Sequence, residues 1–362
     1  MLLYISRKHP PSIGGMQRFS GELVAHLERL VGLRVISWGR SQAFLPLFAL
    51  YALIVASFRL ATGRPRARVV HLGDVVLSPI GLLLGLFFRV PVAANAHGLD
   101  VIFPNWAYQT LVVACLRKLD LIICNSEATR RECLKRGVGP DRCTVIPMGV
   151  GAVDSGVSKE EARRIIADYA GIRLIDRKVV VSVGRLVRRK GISYFVDRAL
   201  PEIVRRNPDV VYLVVGRGPE REETQRLIGV RSLMGHAALL GEVSDEVLAA
   251  IYAAADLFVM PNVPVPGDLE GFGIVALEAS AAGLCVVATR LDGIVDAVID
   301  GKNGFLIDPG DTIGLIDTVS ALLADEDRRV RHGTLAREFT LAHFAWPDIA
   351  ARYVTELQKL WT

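Results

Sequence analysis

The sequence KVVVSVGRLVRRKGISYFV at residues 178–196 holds the unit from which the fold is predicted. Its Val-rich start, 178–183, has the length and composition of a buried strand. A loop bounded by Gly184 and Gly191 follows, and a helix is predicted over 191–206. A buried strand that leads through a Gly-containing loop into a helix is typical of an α/β fold with a parallel sheet.

The same unit recurs along most of the chain. Val- and Ile-rich runs alternate with longer helical stretches, which predicts parallel sheets covered by helices on both faces. The other predicted strands are 1–5, 33–37, 68–72, 90–96, 119–124, 143–147, 210–215, 237–240, 256–260, 284–289 and 304–307. The other predicted helices are 16–30, 46–61, 77–88, 106–117, 127–136, 219–228, 244–254, 273–282, 293–299 and 311–323, and the tail 326–361 is helical without strands.

A Gly-rich segment divides this pattern into two halves. Residues 149–156 read GVGAVDSG and are weakly hydrophobic, so they are the predicted hinge. We therefore predict two doubly wound, Rossmann-like domains of similar size. Ligands bind at the carboxyl ends of strands in such sheets, and two facing domains place the main site in the cleft between them.

Composition and charge narrow the class of protein. The 362 residues are 51% hydrophobic and 22% charged, which excludes a disordered, collagen-like or coiled-coil chain. The formal net charge of +5 is too small to indicate a nucleic-acid binder. It suits a phosphate-bearing ligand or an anionic membrane surface.

The cysteines and the N-terminus predict a cytoplasmic location. The five cysteines include no C-x-x-C pair, so a disulfide framework or a zinc site is not expected and buried reduced thiols are. The first five residues lack the basic start and the cleavage site of a secretory signal, and they predict the first strand.

One uncharged apolar segment is nearly long enough to span a membrane. Residues 41–58 carry no charge, are bounded by Arg40 and Arg59, and contain Pro46. We interpret the segment as a helix packed on the sheet, with part of its surface exposed to lipid, rather than as a spanning helix. Apolar residues 43–58 beside Arg40, Arg59, Arg64, Arg66 and Arg68 predict peripheral binding to an anionic bilayer. The competing explanation is that Leu47, Leu50, Tyr51, Ile54 and Phe58 pack on the sheet.

Three Gly-containing loops follow predicted strands and could hold phosphate. Gly14 and Gly15 precede a predicted helix, where backbone N–H groups can approach an anion. The loop 184–191 contains Arg185, Arg188, Arg189 and Lys190, cations that could neutralise a diphosphate. The turn 216–219 reads GRGP and leaves its strand at the same edge of the sheet. A plain turn and a solvated basic loop are the alternatives.

Two further segments carry candidate site residues. His97 stands at the carboxyl end of a predicted strand and is followed by Gly98, where it could face a ligand or cap a turn. The segment 270–278 reads EGFGIVALE, with Glu270 before a predicted helix and Glu278 inside it. Carboxylates accept hydrogen bonds from the vicinal hydroxyls of sugars and ribose, although each glutamate could also be a surface charge. Apolar neighbours imply that Glu278 has a buried partner.

Taken in order, these segments resemble the family-4 retaining glycosyltransferases of the GT-B fold, and the last one is similar to their E-x7-E signature. The ordered set covers nearly the whole chain and is specific, although no one motif decides. The stretch from Val183 to Asp308 most resembles the phosphatidylinositol mannosyltransferase-like branch. The matching positions are Gly14-Gly15, His97-Gly98, Asn125-Ser126-Glu127, Ile146-Pro147-Met148-Gly149, Gly184-Arg185-Leu186 followed by Lys190-Gly191, Gly216 with Gly218-Pro219, Tyr252 to Asp256, and Glu270 to Glu278.

The resemblance implies a different role for each of the two domains. Residues 1–150, with a final helix 346–362 that crosses back, would form the acceptor-side domain, and 151–345 would bind the nucleotide-sugar. Arg185 and Lys190 would hold the diphosphate, while His97 and Glu270 would contact the donor sugar and Glu278 the ribose. The implied catalytic residues are His97, Arg185, Lys190 and Glu270, and the implied donor-binding residues are Gly14, Gly15, Gly184, Gly216, Gly218, Gly271, Phe272, Gly273 and Glu278.

The implied reaction is hexosyl transfer with retention at the anomeric carbon. The donor is GDP-mannose or a UDP-sugar, and the acceptor is a glycan or a lipid-linked molecule. No metal and no other cofactor is expected, because cations on the diphosphate stabilise the leaving group. The D-x-D match at Asp325-Glu326-Asp327 is better interpreted as a helix start.

Two alternatives remain. One is a sugar-nucleotide epimerase or a phosphorylase of the GT-B fold, which the E-x7-E arrangement together with Arg185 and Lys190 disfavours. The other is a non-catalytic subunit of a glycan-assembly complex, which loss of the phosphate pair or of Glu270 would indicate, and all three residues are present. The expected location is the cytoplasm, with peripheral binding at the inner face of the cell membrane.

Overall fold

A computed structural model of the chain describes residues 1–12, 14–39, 44–64 and 66–361. The chain divides into two compact units. The first comprises Met1–Gly149 and Phe344–Thr362, and the second comprises Val150–His343. Each unit contains one six-stranded sheet whose paired strands are all parallel.

The sheet of the first unit has the strand order β2-β1-β3-β4-β5-β6. Its direction of winding reverses between β1 and β3, and the carboxyl ends of the strands on either side of such a switch point form a ligand-binding edge. All six strands agree with the predicted ones to within a few residues at each end. They are β1 Leu2–Ser6, β2 Leu33–Ser37, β3 Val69–Leu72, β4 Val92–Ala96, β5 Leu121–Cys124 and β6 Cys143–Val145.

The helices of the first unit cover this sheet. The helical stretch Trp106–Leu116 contains a π-helical turn at Gln109–Val113 between α5 and α6. The short α4 is not among the predicted helices. The helices are α1 Gly15–Leu27, α2 Leu45–Thr62, α3 Ser78–Phe88, α4 Leu99–Ile102, α5 Trp106–Tyr108, α6 Ala114–Leu116 and α7 Glu127–Lys135, with α17 Trp346–Gln358 added from the end of the chain.

The sheet of the second unit has the strand order β12-β11-β10-β7-β8-β9. Its switch point lies between β7 and β10, which are neighbours in the sheet although they are distant in sequence. The six strands again match the predicted ones. They are β7 Lys178–Val183, β8 Val210–Val215, β9 Ala237–Gly241, β10 Leu257–Met260, β11 Cys285–Thr289 and β12 Phe305–Ile307.

One helix of the second unit was not predicted. Helix α8, Lys159–Ala170, begins where Ser158 accepts a hydrogen bond from the Glu161 amide. Arg163 and Lys159 of this helix pair with the buried Asp256, which precedes β10. The remaining helices are α9 Ile192–Tyr194, α10 Leu200–Arg206, α11 Arg221–Val230, α12 Asp245–Ala254, α13 Ile274–Ala281, α14 Ile294–Ala297, α15 Thr312–Ala324 and α16 Glu326–His343. A π-helical turn, Phe195–Ala199, joins α9 to α10.

Helix α2 packs on the sheet with one face only. Its buried residues are Phe48, Ala52, Ala56 and Leu60, four apart along the helix. The five residues that the competing explanation placed on the sheet are instead exposed, so that explanation is wrong: Leu47 57%, Leu50 57%, Tyr51 49%, Ile54 59% and Phe58 69%. Of the part of the chain that the structure describes, α2 alone is long and apolar enough to cross a membrane, with 22% of it buried. Arg40 and Ala43 of the predicted basic and apolar surface lie outside the described residues.

All five cysteines are free thiols. Four of them are buried, as expected, and Cys115 is partly exposed. Cys124, Cys133 and Cys143 meet in the core of the first unit, with the Cys124 sulfur 3.4 Å from that of Cys143 and 3.8 Å from that of Cys133. The segment Asp325-Glu326-Asp327 starts α16, and the Asp325 carboxylate accepts from the Arg328 amide, as the helix-start interpretation predicts.

Candidate active site

The switch point of the second unit brings together two loops that carry predicted site residues. Lys190 ends the turn Arg188–Lys190 after β7, and Glu270 lies in the segment between β10 and α13. The Lys190 Nζ lies 2.7 Å from Glu270 Oε2. Because Glu270 is only 7% exposed, this is an ion pair largely withdrawn from water.

Arg189 is a second cation at Glu270, and its place in a run of cations does not indicate this separate role. Its side chain is buried, with Nη1 3.0 Å from Asp268 Oδ1 and Nε 3.4 Å from Glu270 Oε2. The carbonyl oxygen of Arg189 also accepts from the Val263 amide. Side chain and main chain of Arg189 therefore both bind the segment that leads from β10 to Glu270.

The surroundings of Glu270 keep its carboxylate charged. Burial alone raises the pKa of Glu270, but the Lys190 and Arg189 cations outweigh burial, so the pKa lies below its ordinary value. Asn262 Nδ2 donates to the same oxygen, Oε2, at 3.0 Å. Among the described residues, Oε1 of Glu270 makes no hydrogen bond or ion pair, so it can accept from a ligand.

Arg185 differs from its neighbours in the same loop. Its side chain is exposed, and within the described ranges it has no hydrogen-bond or ion-pair partner. The structure therefore does not bring Arg185 to Glu270, and its guanidinium remains available for an anion.

Glu278 lies inside α13 and is 9% exposed. The hydroxyl of Tyr252, on α12, donates to Glu278 Oε2 at 3.2 Å. Glu278 therefore has the buried partner that its apolar neighbours implied. Gly271 and the buried Phe272 lead into α13, and Gly273 is the residue before its first turn.

The glycines after β7 and β8 allow two loops to pack backbone against backbone. A Cβ at Gly216, where φ is +131°, would lie 1.9 Å from the carbonyl oxygen of Gly184. One at Gly218 would lie 2.2 Å from the carbonyl oxygen of Leu186. The Leu186 amide donates to the Arg217 carbonyl at 2.8 Å across the same contact. Loop packing is therefore sufficient to require glycine at both positions.

In the first unit, the predicted residues follow β1 and β4. Gly14 precedes α1, Gly15 is its first residue, and both are exposed. His97 follows β4, and its Nε2 donates to the carbonyl of Gly73 at 3.0 Å, which in the neutral imidazole leaves Nδ1 as an acceptor. Within the described part of the chain, Nδ1 is buried and has no hydrogen-bond partner.

Asp100 supports the His97 loop. Its Oδ1 accepts from the His97 amide at 2.9 Å, while its Oδ2 is shielded and finds no partner among the described residues. Burial raises the pKa of the Asp100 carboxyl, and the neighbouring His97 partly offsets this. The backbone carbonyl oxygen of Asp100 accepts a hydrogen bond from the hydroxyl of Tyr108.

Comparisons with known proteins identify the family of this chain. The family model described as "Glycosyl transferases group 1" matches residues 172–339, and the model described as "Glycosyltransferase Family 4" matches residues 13–152. The GDP-mannose-dependent alpha-(1-6)-phosphatidylinositol monomannoside mannosyltransferase of Mycolicibacterium smegmatis is 31% identical over 376 residues, 97% of this chain and 96% of that protein.

The chain belongs to the family-4, group 1 glycosyltransferases.

Solved structures of other glycosyltransferases share the fold. Sucrose-phosphate synthase from Thermosynechococcus elongatus is similar with a TM-score of 0.79 and 22% identity, over 99% of this chain and 98% of that one. Anabaena HepE in complex with UDP is similar with a TM-score of 0.77 and 19% identity, over 99% of both chains. The predicted GT-B class, with two doubly wound α/β sheets, is thereby confirmed.

Three residues at the sites of this glycosyltransferase were not singled out from its sequence. Arg189 was grouped with its exposed neighbours because a run of cations gives no sign of which one is buried. Asn262 and Asp268 stand in the Pro-rich loop 261–269, which contains no motif. A usable signal was the acidic Asp268 two residues before Glu270, because two carboxylates so close in sequence favour a cation nearby.

Proposed function

We propose that this glycosyltransferase transfers a hexose, with retention, from a nucleoside-diphosphate sugar to a lipid-linked or glycan acceptor. The observation that carries the proposal is the group at the switch point of the second unit, where Lys190 and Glu270 are 2.7 Å apart. It combines a cation able to bind a diphosphate with a carboxylate able to accept from sugar hydroxyls.

Arg185 and Lys190 hold the donor diphosphate. Arg185 is exposed and without a partner among the described residues, so it can bind phosphate without breaking another contact. Lys190 Nζ pairs with Glu270 and, in the proposed donor complex, turns toward the phosphate. Gly14 and Gly15 are exposed residues before and at the start of α1, and their backbone amides are proposed to bind the β-phosphate. Gly184, Gly216 and Gly218 form the loops beside the nucleoside.

The two glutamates bind sugar hydroxyls. Glu270 accepts from the donor sugar through Oε1, with the amides of Phe272 and Gly273 beside it. Glu278, held by Tyr252, accepts from the ribose hydroxyls. The Nδ1 of His97, which lacks a partner among the described residues, accepts from a hydroxyl of the donor sugar.

The reaction needs no protein nucleophile. The bond between the anomeric carbon and the leaving phosphate oxygen breaks as the acceptor oxygen bonds to the same face of that carbon. The acceptor proton passes to an oxygen of the departing diphosphate, whose charge Arg185 and Lys190 stabilise. Because these cations supply the stabilisation, the proposed reaction is independent of metal ions.

GDP-mannose is the proposed donor, because the mycolicibacterial relative is named as GDP-mannose-dependent and is similar over nearly the whole chain. UDP-sugars are the next choice, since HepE was solved with UDP. A thermal-shift panel of GDP, UDP, ADP and their sugars tests this. A ligand at 100 times its dissociation constant stabilises the protein by about 2.7 kcal/mol. Absence of a shift with every nucleotide would contradict the donor site and favour a non-catalytic subunit.

Product analysis tests the reaction itself. We expect the transferred sugar to keep its anomeric configuration in the proton NMR spectrum of the product, at a rate that is unchanged by a chelator. Inversion would contradict the mechanism. Release of nucleotide without an acceptor product would favour the epimerase or phosphorylase alternative.

We also propose that the first unit binds an anionic membrane surface, as suits a lipid-linked acceptor. The exposed apolar residues of α2 continue onto α3, which packs against it and exposes Leu83, Leu86 and Phe87. Arg64, Arg66 and Arg68, which follow α2, are exposed. Apolar surface beside cations binds anionic bilayers at about 1 kcal/mol per cation near the surface. The location that follows is the cytoplasm, at the inner face of the cell membrane.

Flotation with vesicles tests the membrane proposal. The protein should float with anionic vesicles, less so at high salt, and should not float with neutral ones. Replacing Ile54 and Phe58 by glutamate should abolish flotation, whereas the same change at Val330 and Leu335, similarly exposed on the second unit, should have no effect. Protein that stays in the soluble fraction in every case would indicate a soluble acceptor.

A further inference from the structure

Arg189 is buried in a loop whose other arginines are exposed. It is 6% exposed, while Arg185 and Arg188 are open to solvent. A guanidinium withdrawn from water is unfavourable unless it is paired and hydrogen-bonded. Arg189 is therefore held by its partners, and the proposed diphosphate contacts do not use it.

The partners of Arg189 lie in the segment that carries Glu270. Its Nη1 contacts both oxygens of Asp268, at 3.0 and 3.3 Å, and its Nε lies 3.4 Å from Glu270 Oε2. Asp268 is the more exposed of the two carboxylates, so Arg189 bridges a solvent-facing acid and a buried one. Gly191 adds a tight backbone contact, since a Cβ there would lie 1.9 Å from the carbonyl oxygen of Pro261.

Two cations and three carboxylates lie in this group. Lys190 and Arg189 from the loop after β7 face Asp268 and Glu270, and Asp292, before α14, accepts from the Glu270 amide. If Lys190 moves to a diphosphate, Glu270 loses its nearest cation, at 2.7 Å. Removing one partner of a buried ion pair leaves an uncompensated charge, which is strongly unfavourable. Arg189 remains at Oε2, together with the Asn262 amide.

We propose that Arg189 is a positioning residue. It keeps Glu270 charged and oriented while the Lys190 side chain turns from Glu270 to the donor diphosphate. Arg189 and Asn262 hold Oε2, which leaves Oε1 directed at the donor sugar. Arg189 thus acts through Glu270 and does not touch the donor. The inference rests on the donor site proposed above, which Arg185→Ala and Lys190→Ala test separately.

The experiment compares a nucleotide with its sugar at several pH values. Binding of GDP and GDP-mannose, or of UDP and UDP-glucose if the panel selects uridine, is measured by calorimetry from pH 5.5 to pH 8. For Arg189→Met, we expect binding of the free nucleotide within about twofold of the native value, and binding of the sugar nucleotide about tenfold weaker at pH 6. The loss should shrink as pH rises, because the pKa of Glu270 is raised without Arg189 and its carboxyl ionises only at higher pH.

Two variants complete the design. Arg331→Met removes the same charge and side-chain length from α16, where the exposed Arg331 side chain has no hydrogen-bond or ion-pair partner among the described residues, and this variant should bind like the native protein. Arg189→Lys keeps the positive charge but cannot contact Asp268 and Glu270 at once as the guanidinium does. Its affinity for the sugar nucleotide should lie between those of the native protein and Arg189→Met. Arg189→Lys also provides the same readouts if Arg189→Met does not fold.

Three results would overturn the proposal. Equal losses for nucleotide and sugar nucleotide would mean that Arg189 acts on the diphosphate. An unchanged affinity for the sugar nucleotide would mean that Glu270 needs no second cation. A loss that is the same at every pH would indicate a structural role alone. If the native protein binds neither pair, the donor site itself is wrong, and the Arg189 proposal falls with it.

Discussion

Alanine at Arg185 and at Lys190 should reduce sugar transfer similarly but affect stability differently. Each substitution removes one cation from the leaving diphosphate. Losing one such group costs about 2.7–4 kcal/mol of transition-state stabilisation, so we expect turnover to fall about 100- to 1,000-fold in either variant.

The stability difference follows from the partners of the two side chains. Arg185 is exposed and has none among the described residues, so Arg185→Ala should change the free energy of unfolding by no more than about 0.5 kcal/mol. Lys190 pairs with a buried carboxylate at 2.7 Å. Because Arg189 and Asn262 remain in place, Lys190→Ala should lower stability by about 1–3 kcal/mol. For a unit of this size the melting temperature falls by about 2–4 °C per kcal/mol.

Two measurements check this prediction. Turnover is followed as nucleotide released in the presence of acceptor, and stability is followed by thermal unfolding without ligand. Near-normal turnover in a folded Arg185→Ala, Lys190→Ala double variant would refute the donor-site assignment. A fall in melting temperature as large for Arg185→Ala as for Lys190→Ala would refute the reasoning from their partners.

Four further predictions concern the glutamates, Asp256 and Gly216. Glu278→Gln should weaken binding of the free nucleoside diphosphate, whereas Glu270→Gln should spare it and impair the intact donor; calorimetry showing the reverse would exchange their roles. Because Lys190 and Arg189 hold the pKa of Glu270 low, native donor binding should persist as pH falls through the ordinary glutamate range and decline only below it, while Glu270→Gln should lack that decline. Asp256→Ala should lower stability by about 3–5 kcal/mol in thermal unfolding, since it leaves the three cations around this buried carboxylate unpaired, and a loss under about 1 kcal/mol would contradict that account. Gly216→Ala should displace the loop at Gly184 and weaken nucleotide binding in the thermal-shift assay, and unchanged binding would show that the loop adapts.

The strands and most helices could be predicted because their local patterns are strong. Val- and Ile-rich runs of strand length are buried on both faces of a parallel sheet, and all twelve predicted strands are present. Helix α8 was missed because only two of its residues, Ala162 and Ile166, are buried, which gives a weak apolar pattern. The capping Ser158, followed by Glu160 and Glu161, was the available signal.

The face that α2 turns to the sheet could not be predicted, because both of its faces are apolar. Phe48, Ala52, Ala56 and Leu60 have helical spacing, and so do the larger residues that are exposed. Periodicity identifies a buried face only when the opposite face is polar. The small alanines permit close approach to the sheet, which only the packed structure reveals.

The sequence by itself determined which side chains stand at the carboxyl ends of strands. Lys190 and Glu270 could be assigned to loops after predicted strands, because the strand-to-helix turns that carry them are local features. The strand order placed β7 beside β10 and so made an ion pair of two distant residues. The same packing buried Arg189 and left Arg185 and Arg188 in solvent. Charge and burial at these positions depend on neighbours from other parts of the chain, so only the tertiary structure could decide them.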